Sequence, residues 1–543
     1  MSQKSPRVTL LSKLRLAPPG HSNRLQCVQL SIADSIATTL PPAQGIWYWD
    51  RPSHPGAFSP VNLITSLRQT LDSYPQFAGR LEEIPPAETN DLAQARHGRF
   101  QVVFGSANDP GIEVMLARCD CSIQSVLPSS EVRNEEWNAS LVELNHLFGG
   151  QEAPLALEQG LDRTGSLPLM VIKATWFADG GLALAVRLVH AMGDLPSLMR
   201  FLYDWATVHR ACLSQKPPPL LSPMFNPAIV DAAAAGDISR PSPDAQLVQH
   251  ARRAPIHRFD WWAPSSKKGV PPVFAHRTRL PESLKRLSPS VFDQPIPWHD
   301  WDLSAETTHY VLHFTRDEIL RIYAEATKEL ASSSQPQGTG PAFPRISHLD
   351  ALLAHLWSLL MRARGVTDAQ ERVYLNFVLD YRPRLGLPSE LVSSPSAMVY
   401  AKSTGEDVSH GSLAQISRHI RWSIAQMDGT RIAAFLHDCL YQPSTHRYWQ
   451  YFAGRHHFSV TSWLNRGVQD LDFTGDGGPL YFTPLIPDFM MVIYESAGPK
   501  SEKSERNARH WYERGVDVRL QFEKDVVEKI RQDPQLRMYE RKA

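Results

Sequence analysis

Two alternating apolar runs followed at once by a helical one set the tightest limit on how this chain folds. Met170, Ile172, Ala174 and Trp176 share one parity, and beyond a turn at residues 178–181 so do Leu182, Leu184, Val186, Leu188 and His190. Side chains two apart lie on one face of a strand, so this pattern predicts a hairpin with one buried face. The period then changes: between Ser197 and Ala211, Phe201, Leu202, Trp205 and Val208 recur at helical spacing. Strands feeding a helix with an apolar stripe call for a sheet covered by helices, the α/β kind of layering. The pentapeptide His190-Ala-Met-Gly-Asp194 sits where the strand breaks and the helix has yet to begin.

The same alternation recurs along the chain. Residues 1–56 read as short strands and turns, and a first helix follows, with Ser59 as cap, Pro60 at its first position and Leu63, Ile64, Leu67 and Leu71 on one face. In the second half a strand at Thr308–Phe314 meets a capping box, Thr315-Arg-Asp-Glu318, and a second cap, Ser347-His-Leu-Asp350, opens a helix containing Leu352, Leu353, Leu356, Trp357 and Leu360. The stretch 332–344 between them reads as a loop. Strands are expected at Val373–Leu379, Val460–Leu464, Leu480–Phe482 and Phe489–Tyr494, and Val516, Val518, Leu520 and Phe522 alternate directly ahead of a helix. Residues 213–300, with Pro217-Pro-Pro219 and Trp261-Trp262, have little periodicity over a length too great for an ordinary loop, and read as a crossover between two domains.

Charge and cysteine content narrow the function classes. Lys plus Arg and Asp plus Glu number 56 each, so no net field draws the chain to nucleic acid, and basic spots such as Lys267-Lys268 are short. Five cysteines are too few for a disulfide scaffold and none forms a Cys-x-x-Cys pair; Cys119-Asp-Cys121 reads as an incidental pair, and a reducing, cytoplasmic setting is expected. Lys13 and Arg15 interrupt the N-terminal apolar stretch, and no apolar run has membrane-spanning length, so no membrane insertion is expected. His456-His457 and His348 with His355 lack a three- or four-ligand pattern, so no metal is expected. There is no Gly-x-Ser-x-Gly elbow and no phosphate loop.

His190 is the strongest candidate for chemistry. A strand end lets a rigid scaffold aim one side chain into a cleft, and an imidazole with an ordinary pKa near about 6.5 exchanges protons near neutrality. Parity puts His190 on the face of Leu184, Val186 and Leu188, which fits a packed core histidine or the polar end of a face opening onto a channel. Asp194, four residues on, is adequately explained as the cap of the following helix.

Motifs spread over nearly the whole chain resemble the BAHD family of acyl-CoA-dependent acyltransferases, in a divergent form of the kind found in fungal secondary metabolism. Leu11-Ser-Lys-Leu14 resembles the family's Leu-Ser-x-Leu/Ile segment, Tyr74-Pro-Gln-Phe-Ala-Gly-Arg-Leu81 its Tyr-Pro-Leu-Ala-Gly-Arg-Leu turn, and His190 to Asp194 its His-x-x-x-Asp motif. Asp350-Ala-Leu-Leu-Ala-His-Leu-Trp357, Asp380-Tyr-Arg-Pro-Arg-Leu385 and Asp472-Phe-Thr-Gly-Asp-Gly-Gly-Pro479 are similar to its later segments, in the family's order.

The resemblance implies two chloramphenicol-acetyltransferase-like domains, each a mixed β-sheet with covering helices. They would be residues 1–235 and 306–543, joined by a long crossover at 236–305, with a channel between them. It implies a monomer without a permanently bound cofactor that uses acyl-CoA as cosubstrate and esterifies a small secondary metabolite. His190 would be the general base. Asp194 would support the site through an arginine contact, and Asp472 would do so with Arg382 as its expected partner. Thr461 and Ser462, ahead of Trp463, are candidate oxyanion or channel residues by local resemblance.

Departures from the family pattern bear on substrate. Leu195 replaces the usual glycine after the motif aspartate, Val189 stands where His-His-x-x-x-Asp-Gly condensation domains carry a second histidine, and the late motif lacks its tryptophan and has one residue inserted. A carrier-protein thioester donor, an amine acceptor, or a noncatalytic binding homologue are the competing expectations.

Overall fold

A computed structural model describes residues 6–20, 24–89, 91, 94–139, 167–287, 294–332, 345–497 and 510–539; nearly all of the loop expected at 332–344 lies outside them. Two mixed β-sheets with flanking helices form the architecture. The first sheet runs, in spatial order, Val8–Leu16, Ile112–Cys119, Met170–Trp176, Leu182–Leu188, Ala43–Trp49 and Tyr481–Pro484. Only its second and third strands are parallel. The second runs Ser396–Thr404, Arg372–Asp380, His457–Ser462, Met490–Glu495, Val516–Glu523, Thr307–Phe314 and Glu136–Asn138, with two parallel pairings in its middle.

Each sheet takes one edge strand from the other half of the chain. Tyr481–Pro484 closes the first sheet by pairing with Ala43–Trp49, and Glu136–Asn138 closes the second by pairing with Tyr310–Leu312. Covering a sheet edge in this way removes a template for unwanted pairing and couples the halves through backbone hydrogen bonds. Gly45 permits the first exchange, because a Cβ there would stand 2.6 Å from the Phe482 ring.

The expected hairpin is present. Leu182, Leu184, Val186 and Leu188 join the core under helix Leu195–Leu213, whose Leu198, Phe201, Leu202 and Trp205 are fully buried. That core also takes in Val392, Trp463, Val468, Leu471, Phe473 and Val492 from the second half, so the two halves share hydrophobic surface. The expected caps hold: the Ser59 hydroxyl accepts from Asn62 N–H, Thr315 pairs reciprocally with Glu318, and Ser347 with Asp350 forms a capping box.

Two regions depart from the reading by period. The N-terminal segment read as strands and turns holds a short helix, Ile32–Ala37, capped by Ser31 and boxed by Asp34. Six residues are too few for helical periodicity to register. The weakly periodic middle is also packed: Phe259, Trp261, Trp262, Ile296 and Trp298 form an aromatic core with Trp449 and Phe452. Stacked and edge-on rings hold this segment together, and ring packing has no sequence period.

Candidate active site

Strand Leu182–Leu188 ends two residues before His190, which opens a single 3-10 turn, His190–Met192. Gly193 then passes in extended conformation into Asp194, the N-cap of helix Leu195–Leu213. Gly193 is there for space: a Cβ would come within 2.7 Å of Ser197 Cβ and 3.0 Å of Leu188. Gly193→Ala is therefore expected to cost about 1–3 kcal/mol of stability by overpacking, read as a lowered denaturation midpoint, and to lower turnover by shifting His190.

Asp194 serves the turn in two ways. One carboxylate oxygen accepts the Ser197 N–H at 3.2 Å, completing the helix cap. Both oxygens accept from Arg382, at 2.7 and 2.9 Å, in a forked pair that is buried on both sides. Burial raises the Asp194 carboxyl, but the charge and hydrogen bonds of Arg382 more than offset that and hold it below the usual carboxylate range. Arg382 also donates to Asp380 and to the carbonyls of Leu391 and Ser393, so the segment following Arg382 grips the His190 turn from the other half.

The expected pairing of Asp472 with Arg382 is not formed. Arg382 has Asp194 and Asp380 as its carboxylates, and the half-buried Asp472 carboxylate instead accepts the N–H groups of Thr474 and Gly475, at 3.1 and 2.8 Å. The late motif is anchored by its neighbour. Phe473 packs edge-on against Trp49 and Trp205, and Arg210 donates to the Asp472 carbonyl. Arg210 and Arg382 are both distant from the motif along the chain, and packing brings Arg210 to it while Arg382 meets Asp194 and Asp380.

Three residues beyond the sequence reading complete the surroundings of His190. Ser394 Oγ lies 3.2 Å from His190 Nδ1 and donates to the His190 carbonyl at 2.5 Å. The buried Asp34 carboxylate accepts the Ser394 N–H at 2.6 Å and the Ser393 hydroxyl at 2.8 Å. Ser393-Ser394 ahead of Pro395 carried no motif signal, and Asp34 lay in a helix too short to see.

A cavity of about 430 Å³ opens beside this turn, between the two halves. His190, Leu195 and Leu40 line it from the first half, and Thr461, Ser462 and Met490 from the second. The sequence candidates His190, Asp194, Thr461 and Ser462 thus come together, whereas Arg382 and Asp472 do not line the cavity. Burial lowers the pKa of His190, against the opposing field of Asp194, so the ring is neutral at neutral pH. Its Nδ1 is engaged by Ser394, and no hydrogen bond to Nε2 is found among the described residues. Such an imidazole can take a proton from a group in the cavity.

Other clusters lie elsewhere. The ligand atoms of Cys119, Asp120 and Cys121 come within 4.8 Å of one another, with the two sulfurs 3.2 Å apart, but none of the three lines the cavity. His456 bridges Asp300 and Glu371, and His355 meets the Leu536 carbonyl. Among the described residues no helix is long and apolar enough to cross a membrane.

The model of the Transferase family matches residues 7–251 and 260–504. The chain belongs to this family, the BAHD-like acyltransferases. Acyltransferase of the BAHD-like type is the general class of the protein. Among its relatives, acyltransferase AFT15-1 of Alternaria alternata is 24% identical over 519 residues, 92% of this chain and 91% of that one. Acyltransferase abl6 of Leptosphaeria maculans is 23% identical over 539 residues, 98% of each. Among solved structures, TRI101 of F. graminearum complexed with coenzyme A and deoxynivalenol is similar with a TM-score of 0.65 at 14% identity, over 94% of this transferase and 98% of that chain. Vinorine synthase is similar with a TM-score of 0.58 at 16% identity, over 96% of each. At these identities the structural likeness is one of fold.

Proposed function

We propose that this transferase moves an acyl group from acyl-CoA to a hydroxyl of a small secondary metabolite, with His190 as general base. The observation that carries the reading is His190, at the end of a strand, lining a cavity shared by both halves, where burial lowers its pKa. A volume of about 430 Å³ falls within the range of small-molecule sites, and apolar walls suit an acyl chain and a compact metabolite. The coenzyme A in the TRI101 complex supports the donor class by analogy of fold.

In this mechanism the acceptor O–H gives its proton to His190 Nε2 as oxygen attacks the thioester carbonyl. The tetrahedral intermediate then expels the CoA thiolate, which takes the proton back from the imidazolium. An ester and free CoA result. General-base assistance of this kind contributes about 10²- to 10⁴-fold, so alignment of the two substrates and stabilisation of the oxyanion supply the rest. The Thr461 and Ser462 hydroxyls are the candidate oxyanion donors. Asp194 is excluded as a second base because Arg382 holds both of its oxygens. The chain would work as a monomer in the cytoplasm, its domains at 1–235 and 306–543 joined by the crossover at 236–305.

The test is release of free CoA thiol from acyl-CoA, measured with and without candidate acceptors and followed by the mass of the product. Acceptor-dependent release with a product heavier by the acyl group supports the reading; transfer only from a carrier-protein thioester would overturn the donor. Since burial depresses the His190 pKa and the neutral ring is the active form, activity is retained as pH falls to the ordinary histidine value. It is then lost below it. The acid limb of kcat/KM is expected below about pH 6.5; a limb above that value would contradict the assignment.

A further inference from the structure

We infer that Ser394, held in place by Asp34, is a positioning residue that keeps His190 as the Nδ1–H tautomer. Ser394 Oγ lies 2.5 Å from the His190 carbonyl oxygen and 3.2 Å from His190 Nδ1. A carbonyl cannot donate, so the single hydroxyl proton of Ser394 is committed to that oxygen. What Oγ turns toward Nδ1 is then a lone pair, and the contact is a hydrogen bond only if Nδ1 carries the proton. A neutral imidazole has one N–H, which leaves Nε2 with its lone pair.

The serine has little freedom to do otherwise. Its N–H donates to Asp34 Oδ1 at 2.6 Å, and the hydroxyl of Ser393 donates to the same oxygen at 2.8 Å. The other oxygen of Asp34 accepts the Ser31 hydroxyl at 2.6 Å, which fixes the carboxylate at the start of helix Ile32–Ala37. Ser31, Asp34, Ser393 and Ser394 are each at most 1% exposed, so water does not compete for these hydrogen bonds. Ser394 does not line the cavity, and its influence on the reaction passes through the histidine.

The catalytic consequence rests on the general-base reading: a proton on Nε2 would leave no lone pair there to receive one from the acceptor. The tautomer itself does not depend on that reading, and it can be read directly. In the full-length protein labelled with ¹⁵N-histidine, the His190 signals are assigned by their disappearance in His190→Gln. Protonated Nδ1 and unprotonated Nε2 are expected at neutral pH in the wild type; a protonated Nε2 would overturn the inference. Ser394→Ala is expected to admit the Nε2–H form and to lower kcat by about 2- to 13-fold, the worth of one ordinary hydrogen bond, with KM little changed. Ser394→Thr, which keeps the hydroxyl, is expected to restore both. An unaltered tautomer and unaltered kcat in Ser394→Ala would also overturn the inference. Full turnover in His190→Ala alongside a wild-type Nδ1–H signal would remove the general-base reading and leave the tautomer assignment standing.

Discussion

Replacing Arg382 with methionine is expected to lower the unfolding free energy by about 3–5 kcal/mol. The side chain is buried, its guanidinium forks onto Asp194, and further N–H groups reach Asp380 and two carbonyls of the segment that grips the His190 turn. Removing the cation leaves the Asp194 carboxylate buried without its counter-charge, and desolvation of an unpaired ion is the larger part of the cost. Adding Asp194→Asn is therefore expected to recover part of the loss, because an amide leaves no charge stranded while its oxygen can still cap Ser197. Denaturant unfolding of the single and double variants measures this. A single-variant loss below about 1 kcal/mol, the ordinary size for an exposed pair, would show that the fork does not hold the halves together.

His190→Ala should behave in the opposite manner. About 10²- to 10⁴-fold of turnover is expected to disappear, while the denaturation midpoint moves little. His190 stands at the cavity wall and not in the packed core, Ser394 keeps its bond to the His190 carbonyl, and Asp194 with Arg382 is untouched. Measuring turnover and stability on the same preparation separates a lost base from a damaged fold. If turnover falls only in proportion to a loss of folded protein, the histidine is structural.

These two variants mark how far the chain could be read from its residues. The hairpin, the helix after it and the caps at Ser59, Thr315 and Ser347 were legible because local periodicity and local hydrogen bonds create them. His190 was legible for the same reason: a strand that stops short leaves its last polar side chain at a rim. Asp194 as a helix cap is likewise a contact three residues long. Asp472 is the instructive miss. The residues allowed it a partner in Arg382, and in the folded protein that arginine is already engaged by two other carboxylates. The aromatic middle segment was illegible for another reason, since rings from 259–298 and 449–452 meet only in three dimensions.

Order along the chain determined which segments become strands and helices, where the histidine stands and which residue caps the helix behind it. All of these depend on neighbours within a few positions. The tertiary structure alone decided which charge meets Asp194, which hydroxyl meets Nδ1, and that one cavity is walled by both halves. Those contacts span from 188 to 204 residues of sequence, and no local preference encodes them. They arise because each sheet takes an edge strand from the other half and the halves share one core, which brings the segment after Arg382 onto the His190 turn.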